Sequence, residues 1–352
     1  YQNFLTCTRF YKNMKHIHVS LCNVRNYITH TTDAMNELLE YTAPLQSYSL
    51  FNESIQQNIR VLKEYKTKLE HVQGDHLTFR NVQQIGQLLK YFYEMYDSDE
   101  YNAAFSFSFG FHGFIENISG LITNIKDKKI AFATYQKKKK TAFKKAYYAA
   151  LIHSKPVKNN IELDKNLIIT GPNASGKTTT LKTALINVIL TQQFGCGYYK
   201  SGNLTPYHHI HCYLNIPDTS GRDSLFQAEA RRCKDIIDVI KENKKDRHFC
   251  VFDELYSGTN PDEAIMSANA FMEYLVKFEN VKCILTTHFI DVCKKLSKHP
   301  RIENHKMETI PSGNSFNYTY MLKRGISEVR GGIKVLHDME YPDEIIENIK
   351  FR

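Results

Sequence analysis

Over Asn23–Tyr41 and Glu53–Val72, Leu, Ile, Val and aromatic residues recur at three- and four-residue spacing amid charge, which predicts long amphipathic helices. Pro44 is the sole proline of the first 135 residues, so little punctuates these helices. The pattern then changes. Leu167-Ile168-Ile169-Thr170, Phe249-Cys250-Val251-Phe252 and Val281 to Thr287 are short, nearly continuous apolar runs, as buried strands require. Between them, Phe226, Ala230, Cys233, Ile237 and Ile240 return to helical spacing behind Ser224, which reads as a helix N-cap. His208 to His211 alternate beside Tyr207 and Tyr213 as a strand would. The chain is therefore expected to hold an all-α helical core or lever domain over 1–135 and an α/β domain over 136–352, with a mixed sheet flanked by helices. The alternation Phe105, Phe107, Phe109, Phe111, with Phe114 beyond, is open to three readings: an extended stretch, an exposed wedge, or a packing insert between helices.

The strands matter for the polar residues at their carboxyl ends. Gly171-Pro172-Asn173-Ala174-Ser175-Gly176-Lys177-Thr178 sits between the first apolar run and a helix-forming stretch, which is the setting of a phosphate-binding P-loop. Glycines let successive N–H groups curl toward phosphate oxygens, and the helix N-terminus adds partial positive charge. In this reading Lys177 neutralises the β and γ phosphates of ATP and Thr178 offers its hydroxyl to Mg²⁺, with Thr179 completing the loop. Asp253 and Glu254 close the second strand: Asp253 suits the Mg²⁺ shell, and Glu254 is placed to orient or deprotonate water. At the end of the third strand His288 either reaches the γ-phosphate or the water, or is a hydrogen-bonded structural histidine.

Composition narrows the class. At 352 residues with 42% hydrophobic content the chain can build two cores. It has neither a run long enough to cross a bilayer nor a signal peptide, so a soluble intracellular protein with no membrane partner is expected. The eight cysteines lack C-x-x-C spacing and read as reduced core residues. The histidines at 208, 209 and 211 lack acidic or Cys partners in sequence, so no metal beyond Mg²⁺ is expected. A net charge of +9 fits a polyanionic partner. The densest basic stretch, Lys137 to Lys140 with Lys144 and Lys145, reads as a solvated linker or helix face, with phosphate-backbone binding as the other reading.

These residues together resemble a family. Thr170 to Thr179 is similar to the TGPN-x-x-GKST loop of the MutS mismatch-repair ATPases, and Asp253-Glu254-Leu255-Tyr256-Ser257-Gly258-Thr259-Asn260 to their DE-x-x-x-GTS segment. Thr286-Thr287-His288-Phe289 resembles their T-T-H-[FY]. Gly221-Arg222-Asp223-Ser224-Leu225-Phe226-Gln227-Ala228-Glu229 resembles the signature loop, with one extra residue after the Arg. Tyr320 to Gly325, Gly332 to Val335 and Pro342 to Ile346 match the family's tail. The resemblance covers roughly the second half of the chain. It implies an ABC-type P-loop ATPase working as a homodimer or MutS-like heterodimer on double-stranded DNA, in mismatch repair or recombination, in cytoplasm or nucleus. It also implies that Ser224 reaches the γ-phosphate held by a partner subunit; a plain helix cap would use the same residues.

The departures bear on the client. No mismatch-reading domain fits ahead of the helices, Phe51-Asn52-Glu53 lies in a helix-forming context, and no nuclease segment precedes Arg352. The sequence begins on Tyr1, which leaves upstream residues open. Two alternatives remain: an ABC-type ATPase of the SMC class, whose L-S-G-G signature differs from Ser220 to Ser224, and a non-catalytic module locked by nucleotide.

Overall fold

The computed structural model describes residues 2–72, 84–135, 140–214, 224–312, 315–329, 331–342 and 344–346. The chain divides into two compact units, Tyr1–Ile122 and Thr123–Arg352. The break precedes the 135/136 boundary expected from the sequence, because the strand Ala131–Tyr135 pairs within the second unit.

The first unit is helical: α1 (Gln2–Thr42), α2 (Ser49–Leu69), α3 (Ile85–Asp97) and α4, which begins at Asp99 and runs to Lys126. Met14, Leu21, Ile28 and Met35 on α1 are all buried and fall seven residues apart, the interval at which a helix returns to the same face. They pack with Ile55, Leu62, Tyr65 and Leu69 of α2. Polar ties fix the packing: Tyr65 donates its hydroxyl to the Tyr91 carbonyl at 2.8 Å, and the hydroxyls of Tyr27 and Ser108 lie 2.8 Å apart. The phenylalanine alternation is helical throughout, since it lies inside α4. Its members part company there: Phe111 is buried and Phe105 and Phe107 pack on the core, whereas Phe109 is 62% exposed.

The second unit carries two sheets among the described residues. Strands β1 (Ala131–Tyr135), β2 (Ala142–Ala146), β3 (Asn159–Glu162), β5 (Cys196–Gly197) and β6 (Ser201–Leu204) form one, in the order β3-β2-β6-β1-β5. The other is six-stranded: β11 (Ser315–Arg324), β10 (Ile302–Ser312), β4 (Asn166–Thr170), β9 (Val281–Thr287), β8 (His248–Asp253) and β7 (His209–Tyr213), in that order. Its strands from β10 to β7 are parallel and β11 is antiparallel to β10, so the sheet is mixed. Helices α5 (Lys177–Phe194), α6 (Leu225–Glu242), α7 (Pro261–Leu275), α8 (Ile290–Leu296) and α9 (Gly332–Asp338) complete the unit. β4 is buried along its whole length, as a strand between two neighbours and two covered faces must be. One core joins α5 to β4 through Leu181, Ala184, Val188, Leu167 and Ile169; a second joins Cys233, Ile236 and Ile240 of α6 and Phe271 and Met272 of α7 to β8 and β9.

The cysteines are free, and five of them are buried, but Cys7 is exposed and Cys22 and Cys212 are half-buried, so the expectation of core residues holds for the five. Lys144 and Lys145 are exposed on β2, a strand rather than a linker or helix, and Lys137 to Lys139 lie outside the described residues. No described helix is long and apolar enough to cross a membrane.

Candidate functional site

The Gly171–Gly176 loop leaves the end of β4 and enters α5 at Lys177. Two left-handed residues shape it, Ala174 (φ 62°) and Gly176 (φ 97°). At Gly176 the requirement is double: the backbone is in the region glycine favours, and a Cβ there would stand 3.3 Å from the Tyr320 ring. The curl brings Lys177 back over its own loop. Its side chain is only 5% exposed, and its ammonium donates to the carbonyls of Gly171 (3.0 Å) and Pro172 (3.3 Å) and to Asn173 Oδ1 at 3.4 Å. Burial pulls its pKa down, and the neighbouring charges of Glu254 and Asp253 only partly oppose that. Ser175 Oγ is buried with no hydrogen-bond partner among the described residues. A buried cation held mainly by neutral oxygens, beside an unpaired hydroxyl and the N-terminus of an 18-residue helix, is a setting short of negative charge.

The strand ends supply the acids. Asp253, last residue of β8, receives Thr178 Oγ1 at 3.1 and 3.0 Å on its two carboxylate oxygens and a second hydroxyl from Thr286, its register partner on β9. Glu254 comes next, in a left-handed conformation (φ 53°), its N–H bonded to the Thr286 carbonyl at 3.0 Å. For a non-glycine residue that backbone costs about 1–2 kcal/mol, so the surroundings must enforce it. The turn directs Glu254 away from Asp253. Its Oε1 stands 3.7 Å from both Lys177 Nζ and His288 Nδ1. The His288 interaction, followed by the Lys177 charge, holds the Glu254 carboxyl below its ordinary pKa although burial pushes the other way.

Two cavities flank the loop. One, of about 670 Å³, is walled by Lys177, Thr178, Asp253 and Glu254 on one side and by Tyr148, Leu151, Val157 and Tyr320 elsewhere. The other, of about 650 Å³, lies between Pro172, His288 and α9 and shares Asn173 and Glu254 with the first. The structure thus gathers Gly171, Pro172, Asn173, Ala174, Ser175, Gly176, Lys177, Thr178, Thr179, Asp253, Glu254 and His288 around one loop. Ser224 lines neither cavity. It is the exposed N-cap of α6, its Oγ accepting from the Gln227 N–H (3.3 Å) while its own N–H donates to Gln227 Oε1 (2.9 Å). Gly221 to Asp223 lie outside the described residues, as does Asp343 in the tail.

Tyr148, Val157 and Thr286 were not singled out by sequence reasoning as site residues. Tyr148 and Val157 lie in the connection before β3, where nothing local marks a cavity wall. Thr286 carried a signal in its place two residues before His288 on a strand whose end faces the loop. The paired histidines do have an acid at hand, since His209 Nε2 lies 3.0 Å from Asp246; no group of three or more metal-binding side chains occurs among the described residues.

Residues 167–351, from β4 onward, match the family model described as MutS domain V. The chain belongs to the MutS family. MutS-family relatives align over this half. MutS protein homolog 4 of Homo sapiens is 30% identical over 210 residues, covering 56% of this chain and 22% of the relative. The DNA mismatch repair protein MutS of Acholeplasma laidlawii is 27% identical over 202 residues, 56% of this chain and 24% of that protein. Endonuclease MutS2 of Carboxydothermus hydrogenoformans is 29% identical over 215 residues, 59% and 26% respectively. The matches therefore span about a quarter of these MutS relatives.

Proposed function

We propose that this MutS-family chain binds ATP with Mg²⁺ at the β4–α5 loop and hydrolyses it, coupling turnover to double-stranded DNA and to closure of a dimer. The observation that carries this reading is the convergence of Lys177, Thr178, Asp253, Glu254 and His288, from three separate strand ends, on one loop whose buried cation is held most closely by the loop carbonyls, with Glu254 at 3.7 Å. Triphosphate oxygens would take over the Lys177 ammonium from the loop carbonyls and meet Ser175 Oγ and the N-terminal N–H groups of α5. The wall of Tyr148, Leu151 and Val157 offers apolar surface on which a purine could pack.

The donor set fits a hard cation: two carboxylate oxygens of Asp253 and the Thr178 hydroxyl. Thr178 and Asp253 would hold Mg²⁺, which when bound neutralises phosphate charge. Glu254, kept ionised, accepts the proton of an attacking water; the water oxygen bonds to the γ-phosphorus as the bond to the β–γ bridging oxygen breaks, and ADP leaves with that electron pair. His288 stays within reach of Glu254 to orient it. Ser224, exposed at the tip of α6, is free to meet the γ-phosphate of a second subunit. The family assignment sets aside the SMC class.

The test is ATP turnover with and without duplex DNA, alongside Lys177→Ala. Turnover that DNA alters and the substitution abolishes supports the reading. Tight nucleotide binding without Lys177-dependent turnover would instead leave a nucleotide-locked assembly module. DNA binding itself should fall steeply with salt, because a +9 chain without an identified base-reading element relies on phosphate contacts.

A further inference from the structure

Glu229, on the second turn of α6, is a carboxylate with only 2% of its surface exposed. A buried carboxylate persists where donors surround it. Three donors come from one short segment: the Ser257 N–H at 3.2 Å and Ser257 Oγ at 3.0 Å on one oxygen, and the Gly258 N–H at 3.2 Å on the other; the Tyr213 hydroxyl of β7 adds a further hydrogen bond. That segment begins at Glu254. Between the two lie left-handed turns at Glu254 and Tyr256 (φ 53° and 59°), conformations that only external restraint maintains. The segment is held at its start by the Thr286 carbonyl, and at its middle by the Tyr213 hydroxyl, which accepts from the Tyr256 N–H at 3.3 Å. Its far end is held by α6. There the approach leaves no slack: a Cβ on Gly258 would fall 2.7 Å from Leu225 Cγ, and the Phe226 and Tyr256 rings lie 5.6 Å apart.

We propose that Glu229 is the positioning residue for Glu254. By gripping residues 257 and 258 it fixes the strained turn that aims the Glu254 carboxylate, and it ties that turn to the helix end capped by Ser224. One rigid piece, the first two turns of α6, thus carries both the tip offered to a neighbouring subunit and the anchor of the chain's own water-activating group. A displacement at Ser224 reaches Glu254 through Glu229. This inference rests on the ATPase reading above and adds a route between sites.

The experiment compares the wild-type chain with Glu229→Gln and Ser257→Ala in steady-state ATP turnover, nucleotide binding with a fluorescent ATP analogue, and thermal melting. Glu229→Gln presents an amide N–H₂ to donors that need an acceptor, and should lower kcat by about tenfold while KM and the analogue's Kd stay within about twofold. Ser257→Ala removes one of the three contacts to this segment and should lower kcat by about threefold. In a Glu254→Gln background neither change should lower the residual rate further, because the group they aim is already disabled. A residue that only supports the fold would move the melting temperature and binding together and would stay additive with Glu254→Gln; either result overturns the proposal. Should Glu229→Gln not fold, Ser257→Ala decides alone, and a wild-type kcat in it is the overturning result. If the wild-type chain shows no Lys177-dependent turnover, the ATPase reading fails and this proposal falls with it. Wild-type turnover matched by both variants removes Glu229 alone.

Discussion

The Thr178 hydroxyl lies 3.1 and 3.0 Å from the two carboxylate oxygens of Asp253, joining the first turn of α5 to the end of β8. The two residues are 75 positions apart, so only the fold brings them together. In that arrangement the hydroxyl spends its proton on the carboxylate. A bound divalent cation would take the lone pairs of both instead.

Asp253→Asn should therefore raise the Mg²⁺ concentration needed for nucleotide binding by at least about tenfold, because a neutral amide is a weaker ligand for a hard cation. Titrating Mg²⁺ at fixed ATP checks it. An unchanged Mg²⁺ midpoint would place the cation elsewhere.

Glu254→Gln keeps the shape of the side chain and loses the base. Nucleotide affinity should stay near wild type and hydrolysis should fall by about 10²- to 10⁴-fold, the usual worth of a positioned acid–base group. Equal or faster turnover would pass the role to His288, whose Nδ1 stands 3.7 Å from Glu254 Oε1.

Ser224→Arg tests whether the exposed cap completes a second subunit's site. The variant should bind ATP normally yet hydrolyse it poorly, since the cation would stand where the partner's γ-phosphate belongs. Mixing it with Lys177→Ala should restore part of the activity, because one composite site would then combine an intact Lys177 with an intact Ser224. Full activity of Ser224→Arg alone would confine catalysis to a single chain.

The histidine pair of β7 and β8 makes stability depend on pH. His211 Nε2 and His248 Nδ1 lie 3.0 Å apart in the protein interior. Burial, reinforced by the neighbouring imidazoles, pushes His211 down to about 4 and lowers His248 as well. His211 thus stays neutral in the folded chain down to about 4, while in the unfolded chain it takes up a proton below about 6.5; the lowered His248 acts in the same direction. The unfolded state binds more protons in that window, so this contribution is complete above pH 6.5 and is lost as pH falls toward 4. At about 1.4 kcal/mol per unit, His211 alone accounts for as much as about 3 kcal/mol. Urea midpoints from pH 4.5 to 7.5 should show a flatter slope for His211→Gln than for wild type; equal slopes would remove the histidines as the cause.

Legibility in the sequence is a matter of range. The β4 loop, the acids ending β8 and the Ser224 cap are each written in a few contiguous residues, because a glycine-permitted curl, an apolar strand and a capping box are local structures. The phenylalanine run stays ambiguous for the same reason: alternation at period two suits an extended stretch, a wedge or a packing insert alike, and four packed helices supply the long-range context that keeps residues 99–126 helical. The cavity wall of Tyr148 and Val157 and the grip of Glu229 on Ser257 depend on contacts made only by the folded chain. The early break between units has a similar origin, since β1 finds its parallel partner β6 some seventy residues later.

The order of strands also sets a schedule for assembly. β4 takes its neighbours from far downstream: Leu167 is in register with Ile284 of β9, and Ile168 with Asn304 of β10. A chain emerging from the ribosome therefore presents residues 166–178 long before either flank exists, and the loop has nothing to brace it until β9 and β10 have been made. Closing such distant pairings is slow compared with forming helices. Nascent chains that stop between residues 288 and 301 should carry one open edge at β4, with unpaired backbone groups along the apolar run Leu167–Ile169, a surface that calls for chaperone cover during synthesis.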